Sequence, residues 1–299
     1  MRSVVVMVLA SALLTSTASA TETVRYVALV NGGTTKAGHQ SVTRNGNKVR
    51  VDFIFKDNGR GPELKEEFTL GEDGTFVRYH VAGTSTFGAA VNETFTRKGD
   101  KVSWKSLSDK GEQSVQGTAF YSPLGGTPAA MSVAFAALAK RADGKLPMIP
   151  GGTLTSRKLL ETEVSRGSDK RKVQLIALTG IGFTPITAWT TADDAPRLFA
   201  YIFPGYLQLI EEGWESNGAA LENQQKAAEE DLLVAYQKRL AHPLASTTLI
   251  RNARVFDSEN ATLGSASDVL LDNGRIISIS PAGADALTLL RTPGRGEGR

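Results

Sequence analysis

Between Thr23 and about Ser122 apolar residues recur at every second position. The pattern is clearest in Val49, Val51, Phe53 and Phe55, set among Arg50, Asp52 and Lys56. A period of two places alternate side chains on opposite faces of a strand, so each such run predicts a half-buried β-strand. The same alternation marks Val27 and Leu29; Leu64, Glu66, Phe68 and Leu70; Val77, Tyr79 and Val81; and Val102 and Trp104. Turn chemistry separates the runs at Asn45-Gly46, Asp57-Asn58-Gly59, Asp73-Gly74, Lys98-Gly99-Asp100 and Lys110-Gly111, which predicts an antiparallel meander. A sheet with one apolar and one charged face must curl or be covered to bury the apolar side. The expected fold is therefore mainly β, a large curved antiparallel sheet resembling a half-barrel.

One helix is expected to interrupt the strands. Thr127 is placed to cap it, Pro128 suits its first position, and Lys140-Arg141 fall near its end before Gly144. Met131, Val133, Phe135 and Leu138 leave it apolar almost all round, as expected of a helix that plugs the concave side of the sheet. Strand patterns resume at Thr153 to Val164, Val173 to Leu178, Pro185 to Thr190 and Leu198 to Phe203. From Gly218 to Leu240 the period changes: Leu221, Gln225, Ala228, Leu232, Tyr236 and Leu240 share one helical face, and Pro243 ends the run. These boundaries give a β accessory domain over 21–215 and a linker helix over 216–243.

The first residues predict export. Arg2 is followed by an apolar run from Val4 to Leu14 and by Ala18-Ser19-Ala20, the pattern of a signal peptide over 1–20. That run falls short of the roughly 20 apolar residues that span a bilayer, and no lipobox or disulfide is available without cysteine. The expected location is the periplasm or outside the cell, with no stable membrane anchor. A formal charge of +3, partly owed to Arg2 and to the arginines of the tail, does not indicate nucleic-acid binding.

Catalytic groups are hard to find. The three histidines His39, His80 and His242 are far apart, and a metal site needs converging ligands. No Gly-x-Ser-x-Gly elbow occurs. The acid pairs Glu211-Glu212 and Asp193-Asp194 read as solvated neighbours. Gly125-Gly126-Thr127 leads into a helix N-terminus, whose free amides can hold an anion, but without the lysine and spacing of a P-loop it reads as a flexible cap. Pro150-Gly151-Gly152 reads as a turn. No catalytic, cofactor-binding or metal-binding residue is assigned.

The most specific motif lies late. Thr248-Leu249-Ile250-Arg251-Asn252-Ala253-Arg254-Val255-Phe256-Asp257 is followed by Asp268 to Asp272, Asn273-Gly274 and Arg275-Ile276-Ile277. This stretch resembles the opening of the metal-dependent amidohydrolases of the imidazolonepropionase-like superfamily. The resemblance implies the first strands of a small β-sandwich over 247–285, flanking a (β/α)8 barrel that holds zinc or another divalent metal. Less specifically, Ala177 to Pro185, Trp189, Leu198-Phe199-Ala200 and Glu212-Gly213-Trp214-Glu215 are similar to the accessory region of exported members. The barrel's His-x-His is absent, so the implied chain is a truncated amidohydrolase without activity, its partner the missing barrel. The Arg/Gly/Pro-rich tail over 286–299 reads as disordered, the product of a frameshift. The alternative from a different class is a periplasmic carrier that holds a lipid or other small apolar ligand in the curved sheet.

Overall fold

The computed structural model describes residues 20–244 and 247–283; the expected signal peptide and the tail lie outside them, except for Ala20. The chain divides into two compact units, parted between Asp231 and Leu232.

In the first unit, strands β1 (Glu22–Val30), β2 (Thr35–Asn45), β3 (Lys48–Phe55) and β4 (Glu63–Leu70) begin an antiparallel meander. Strands β5 (Phe76–Thr84), β6 (Ala90–Lys98), β7 (Lys101–Lys105) and β8 (Lys110–Ser114) continue it. The predicted alternation is visible in the burial: along β3 and β4 every second residue is buried. The turn at Asn58-Gly59 has positive φ at both residues, 49° and 73°, a conformation that these two residue types adopt at the least steric cost.

The chain then forms β9 (Phe120–Tyr121), helix α1 (Pro128–Ala139) and β10 (Lys145–Ile149). A second meander follows through β11 (Thr153–Arg166), β12 (Asp169–Thr179), β13 (Ile186–Thr191), β14 (Leu198–Phe203) and β15 (Leu207–Glu211). Strand β15 pairs antiparallel with β1, Tyr26 opposite Glu211. The two meanders thereby join into one open sheet of 15 strands with β8 and β9 at its edges. Sequence alternation did not reveal β15, because Leu207, Gln208, Leu209 and Ile210 are all buried. A strand covered on both faces has no polar side to alternate with.

Both faces of β13 to β15 and of the later part of β12 are buried, with a helix on each side. On one side α1 carries Val133, Phe135 and Leu138 into a core shared with Tyr26 of β1, Phe53 of β3, Phe68 of β4, Phe95 of β6 and Leu209 of β15. One short helix touching strands so far apart in the sheet order requires the sheet to curl around it. Thr127 caps α1 through its side chain and Pro128 opens it, as expected. Lys140 is its C-cap, so the basic pair Lys140-Arg141 falls just past the last turn.

On the other side helix α2 (Gly218–Leu240) lays its first turns over Val173, Trp189, Phe199 and Ile210, with Leu221 buried among them. Gln225 is fully buried there. It accepts from the Trp189 indole at 3.0 Å and donates to the Ile202 carbonyl at 3.0 Å. A buried amide with its partners in place fixes how the helix sits, because any slip would strand polar groups.

The second unit contains the later part of α2 and a separate three-stranded antiparallel sheet, β16 (Thr247–Asp257), β17 (Thr262–Asp272) and β18 (Arg275–Pro281). Its β17–β18 turn is Asn273-Gly274, again with positive φ at both residues.

Burial of α1 predicts where stability is lost. Leu138 is 2% exposed, and Leu138→Ala should cost about 2–5 kcal/mol in denaturant unfolding. Leu107→Ala, at an exposed turn, should stay within about 0.5 kcal/mol. Equal effects of the two would contradict the placement of the helix.

Candidate functional site

Two glutamates face the interior in the midst of apolar rows. Glu66 of β4 and Glu93 of β6 lie opposite the same residue, Val81 of β5, and both are almost fully buried. Each reaches the segment that leads into α1. Glu93 accepts from the backbone amides of Leu124 and Gly125 at 3.0 and 2.9 Å and from the Tyr121 hydroxyl at 2.6 Å. Glu66 accepts from the Thr127 amide at 3.1 Å, the Thr127 hydroxyl at 2.6 Å and the Tyr79 hydroxyl at 2.6 Å. Gln40 of β2 accepts from the Ala129 amide at 3.3 Å. The amides of Leu124, Gly125, Thr127 and Ala129 are thus satisfied by the sheet, that of Ala130 by the Thr127 side chain, and the carboxylates suit the positive end of the helix.

This assigns the Gly125 and Thr127 amides an occupant from within the chain. Sequence reading left Glu66 and Glu93 without a role. The available signal was a charged residue at an inward position of an alternating run, and for Glu66 it stood in plain view between Leu64 and Phe68.

The other singled-out residues are placed apart. His39 and His80 lie exposed on β2 and β5, and His242 is exposed after α2. Among the described residues no group of three His, Cys, Asp or Glu is arranged to hold a metal. Asp193 receives the Ala195 amide within a turn. Glu211 departs from the solvated reading. Its carboxylate is 12% exposed and takes Nη1 of Arg171 at 2.8 Å and of Arg197 at 2.7 Å. Burial alone would raise its pKa, but the two guanidiniums outweigh that and hold it below the usual carboxylate range. Arg171 also lies over the Trp214 ring at 4.5 Å, so this cluster joins α2's approach to β12 and β15 and is structural.

Beside α1 the curled sheet leaves a groove of about 310 Å³. Phe53 and Phe55 of β3, Met131 of α1, Ile186 of β13, Tyr201 of β14 and Leu207 of β15 line it. No charged side chain does, and the polar side-chain groups in its wall are the hydroxyls of Thr86, Thr127, Tyr201 and Tyr206. The volume is at the lower end of the roughly 300–1,000 Å³ of small-molecule sites, which are mostly apolar with a few polar groups.

Strand directions place the groove at one end of the sheet. Because neighbours in each meander are antiparallel, successive connections alternate between two ends. The β3–β4, β5–β6, β12–β13 and β14–β15 connections and the lead-in to α1 fall at the same end, as do β1–β2, β7–β8 and β10–β11. At this end stand Phe87 in the β5–β6 connection, Leu107 in β7–β8 and Leu124 before α1. Ile181 and Phe183 in β12–β13, with Phe203 and Tyr206 at β14–β15, complete the group. Every exposed large apolar side chain among the described residues of the first unit is at this end.

Glu66 gives a pH prediction. Burial, the largest influence, raises its pKa, and the hydrogen bonds from Thr127 and Tyr79 only partly offset it. A folded pKa above the unfolded one means that the fold holds the proton more tightly. The resulting stabilisation is present below the unfolded value and is lost as pH rises through the folded one. Glu66→Gln keeps the shape without the charge, so urea unfolding should show the intact protein losing ground to this variant as pH rises from acid to neutral. The opposite trend would contradict the burial of a raised carboxyl here.

No family model matches the chain, and no curated protein matches it. Among solved structures it is similar to a β-barrel-like protein of the domain of unknown function DUF1849 from Brucella abortus. The identity is 10% and the TM-score 0.41, covering 63% of this chain and 94% of that one. The amidohydrolase membership expected from Thr247 to Ser280 is therefore corrected, and the hydrolase reading goes with it: no family model and no curated protein supports either. The physical reason is that the motif is hairpin chemistry. The Asn273-Gly274 turn joins two strands of a three-stranded meander, and Asn-Gly between apolar runs is the preferred turn of two-residue hairpins in general.

Proposed function

We propose that this chain is an exported binding or carrier module that holds a small apolar ligand, such as a lipid chain, in the groove beside α1. On this reading the sheet is a half-barrel container and α1 is the plug that sets how much room is left. The observation that carries the proposal is the groove wall itself, apolar with hydroxyls and without a charged side chain. An ionic group would find no counter-charge inside it, and leaving water unpaired is expensive for an ion, so a charged head group stays in water at the mouth while the apolar chain enters. An apolar molecule gains by leaving water in proportion to the area that it buries.

Mechanistically, the groove needs no chemistry of its own. Glu66, Glu93 and Gln40 fix the N-terminal turn of α1 against β2, β4 and β6, so Met131 and Pro128 form one wall while β3 and β13 to β15 form the others. The ligand enters a largely preformed space, which spares it the cost of ordering the wall.

The test is titration of an environment-sensitive apolar dye and of a long-chain fatty acid, read by fluorescence and by the shift in melting temperature. A ligand at a hundred times its Kd should stabilise the fold by about 2.7 kcal/mol. Met131→Trp, which fills the groove, should weaken binding by about tenfold or more with the far-UV circular dichroism retained. Failure of every apolar probe to bind or to raise the melting point would overturn the proposal.

A further inference from the structure

The end of the sheet at which the groove lies has a surface of its own. Phe183 and Phe87 stand with fractional exposures of 111% and 83%, and they project from different connections. The apolar tips belong to separate loops rather than to one helix or sheet face of the kind that seats a protein partner.

The connections that carry them are also short of charge. Six of the eight at this end, residues 31–34, 85–89, 122–127, 150–152, 180–185 and 204–206, contain no Asp, Glu, Lys or Arg. The remaining two hold Lys56, Asp57, Arg60 and Asp109. Lys56 is occupied by the Gly61 carbonyl at 2.7 Å, and the Trp104 indole donates to Asp109 at 2.8 Å. The opposite end is built differently. There the connections carry Glu72, Asp73, Asp100, Arg141, Asp143 and Asp194, among others, and none of the exposed large apolar residues.

We infer that this end of the first unit docks on a lipid bilayer, with Phe87, Leu124, Phe183 and Phe203 entering the boundary between headgroups and acyl chains. A bilayer is the surface that fits separate apolar tips at different positions, because it is soft, apolar in depth and demands no matched shape. Absence of charge is what such a contact requires, since a charged tip would have to be desolvated. Isolated Phe and Leu side chains at a protein's edge contribute to interfacial binding in proportion to the apolar area that they sink.

This inference rests on the groove reading in one respect, the direction of traffic. The groove's wall includes Pro62, Thr86 and Tyr206 from the same connections. An apolar ligand therefore passes between bilayer and groove without crossing water. The docking itself stands on the tips alone.

The experiment is flotation of the full chain with phosphatidylcholine vesicles at low and at high salt, beside the variants Phe183→Ser and Phe87→Ser/Phe183→Ser. The intact chain should float with neutral vesicles to an extent that salt barely changes. Each phenylalanine removed should weaken partition by about tenfold, while the melting temperature and dye binding in the groove stay as they were. Undiminished flotation of the double variant would place the contact elsewhere, the apolar run from Val4 to Leu14 being the first suspect, and would overturn the inference. Failure of the intact chain to float would overturn it too, and concentration-dependent self-association in its place would show that the tips meet a second copy. A chain that floats through its tips but binds no apolar dye would support the docking and refute the groove.

Discussion

The arrangement depends on how the sheet holds the start of α1. A helix apolar on every side has no surface signal to orient it, and Val133, Phe135 and Leu138 could pack at more than one angle with similar burial. Direction comes from the polar contacts. Glu93 holds the amides of Leu124 and Gly125, Glu66 holds Thr127, and Gln40 holds Ala129. Each acceptor is buried, so a rotated or shifted helix would leave a carboxylate in the interior without donors. That is a far larger penalty than a change in apolar packing. The groove is the space that remains once this placement is made.

The opposite face of the sheet is fixed by the same logic with different residues. Trp189, Thr187 and the Ile202 carbonyl all bond to Gln225 of α2. Arg171 and Arg197 converge on Glu211 at the junction of β15 with β1. Strands β13 to β15 are consequently sandwiched between two helices, whereas the outer faces of β3 to β6 alternate with charged residues such as Arg50, Glu67 and Arg78. The asymmetry explains why β3 to β6 read as textured alternation and β14 and β15 as nearly continuous apolar sequence.

That difference also decides what was legible beforehand. Period-two runs and Asn-Gly or Asp-Gly turns identified β3, β4 and β5, and the Thr127-Pro128 start of α1 was read from its cap. Strand β15 was hidden because Leu207 to Ile210 bury both faces, and with it the joint that makes one sheet of two meanders. Glu66 was read as part of an apolar row, and its partner Thr127 lies 61 residues on, a distance that no local pattern spans. The groove was not legible at all, since its walls come from β3, α1 and β13 to β15. The amidohydrolase resemblance misled for the complementary reason: Asn273-Gly274 and the apolar residues around it are specific for a hairpin and carry no information about a barrel beyond.

The central claim is that an apolar ligand occupies the space beside Met131. The chain has no cysteine, so Met131→Cys introduces a single thiol on the groove wall, and Ser103→Cys supplies a control on exposed β7. The rate of alkylation of each thiol, with and without saturating long-chain fatty acid, is the most direct measurement. The account predicts that the fatty acid slows reaction at position 131 by about tenfold or more, as the protected fraction of a saturated site requires, and leaves position 103 unchanged. Equal rates at position 131 with and without the fatty acid would contradict it.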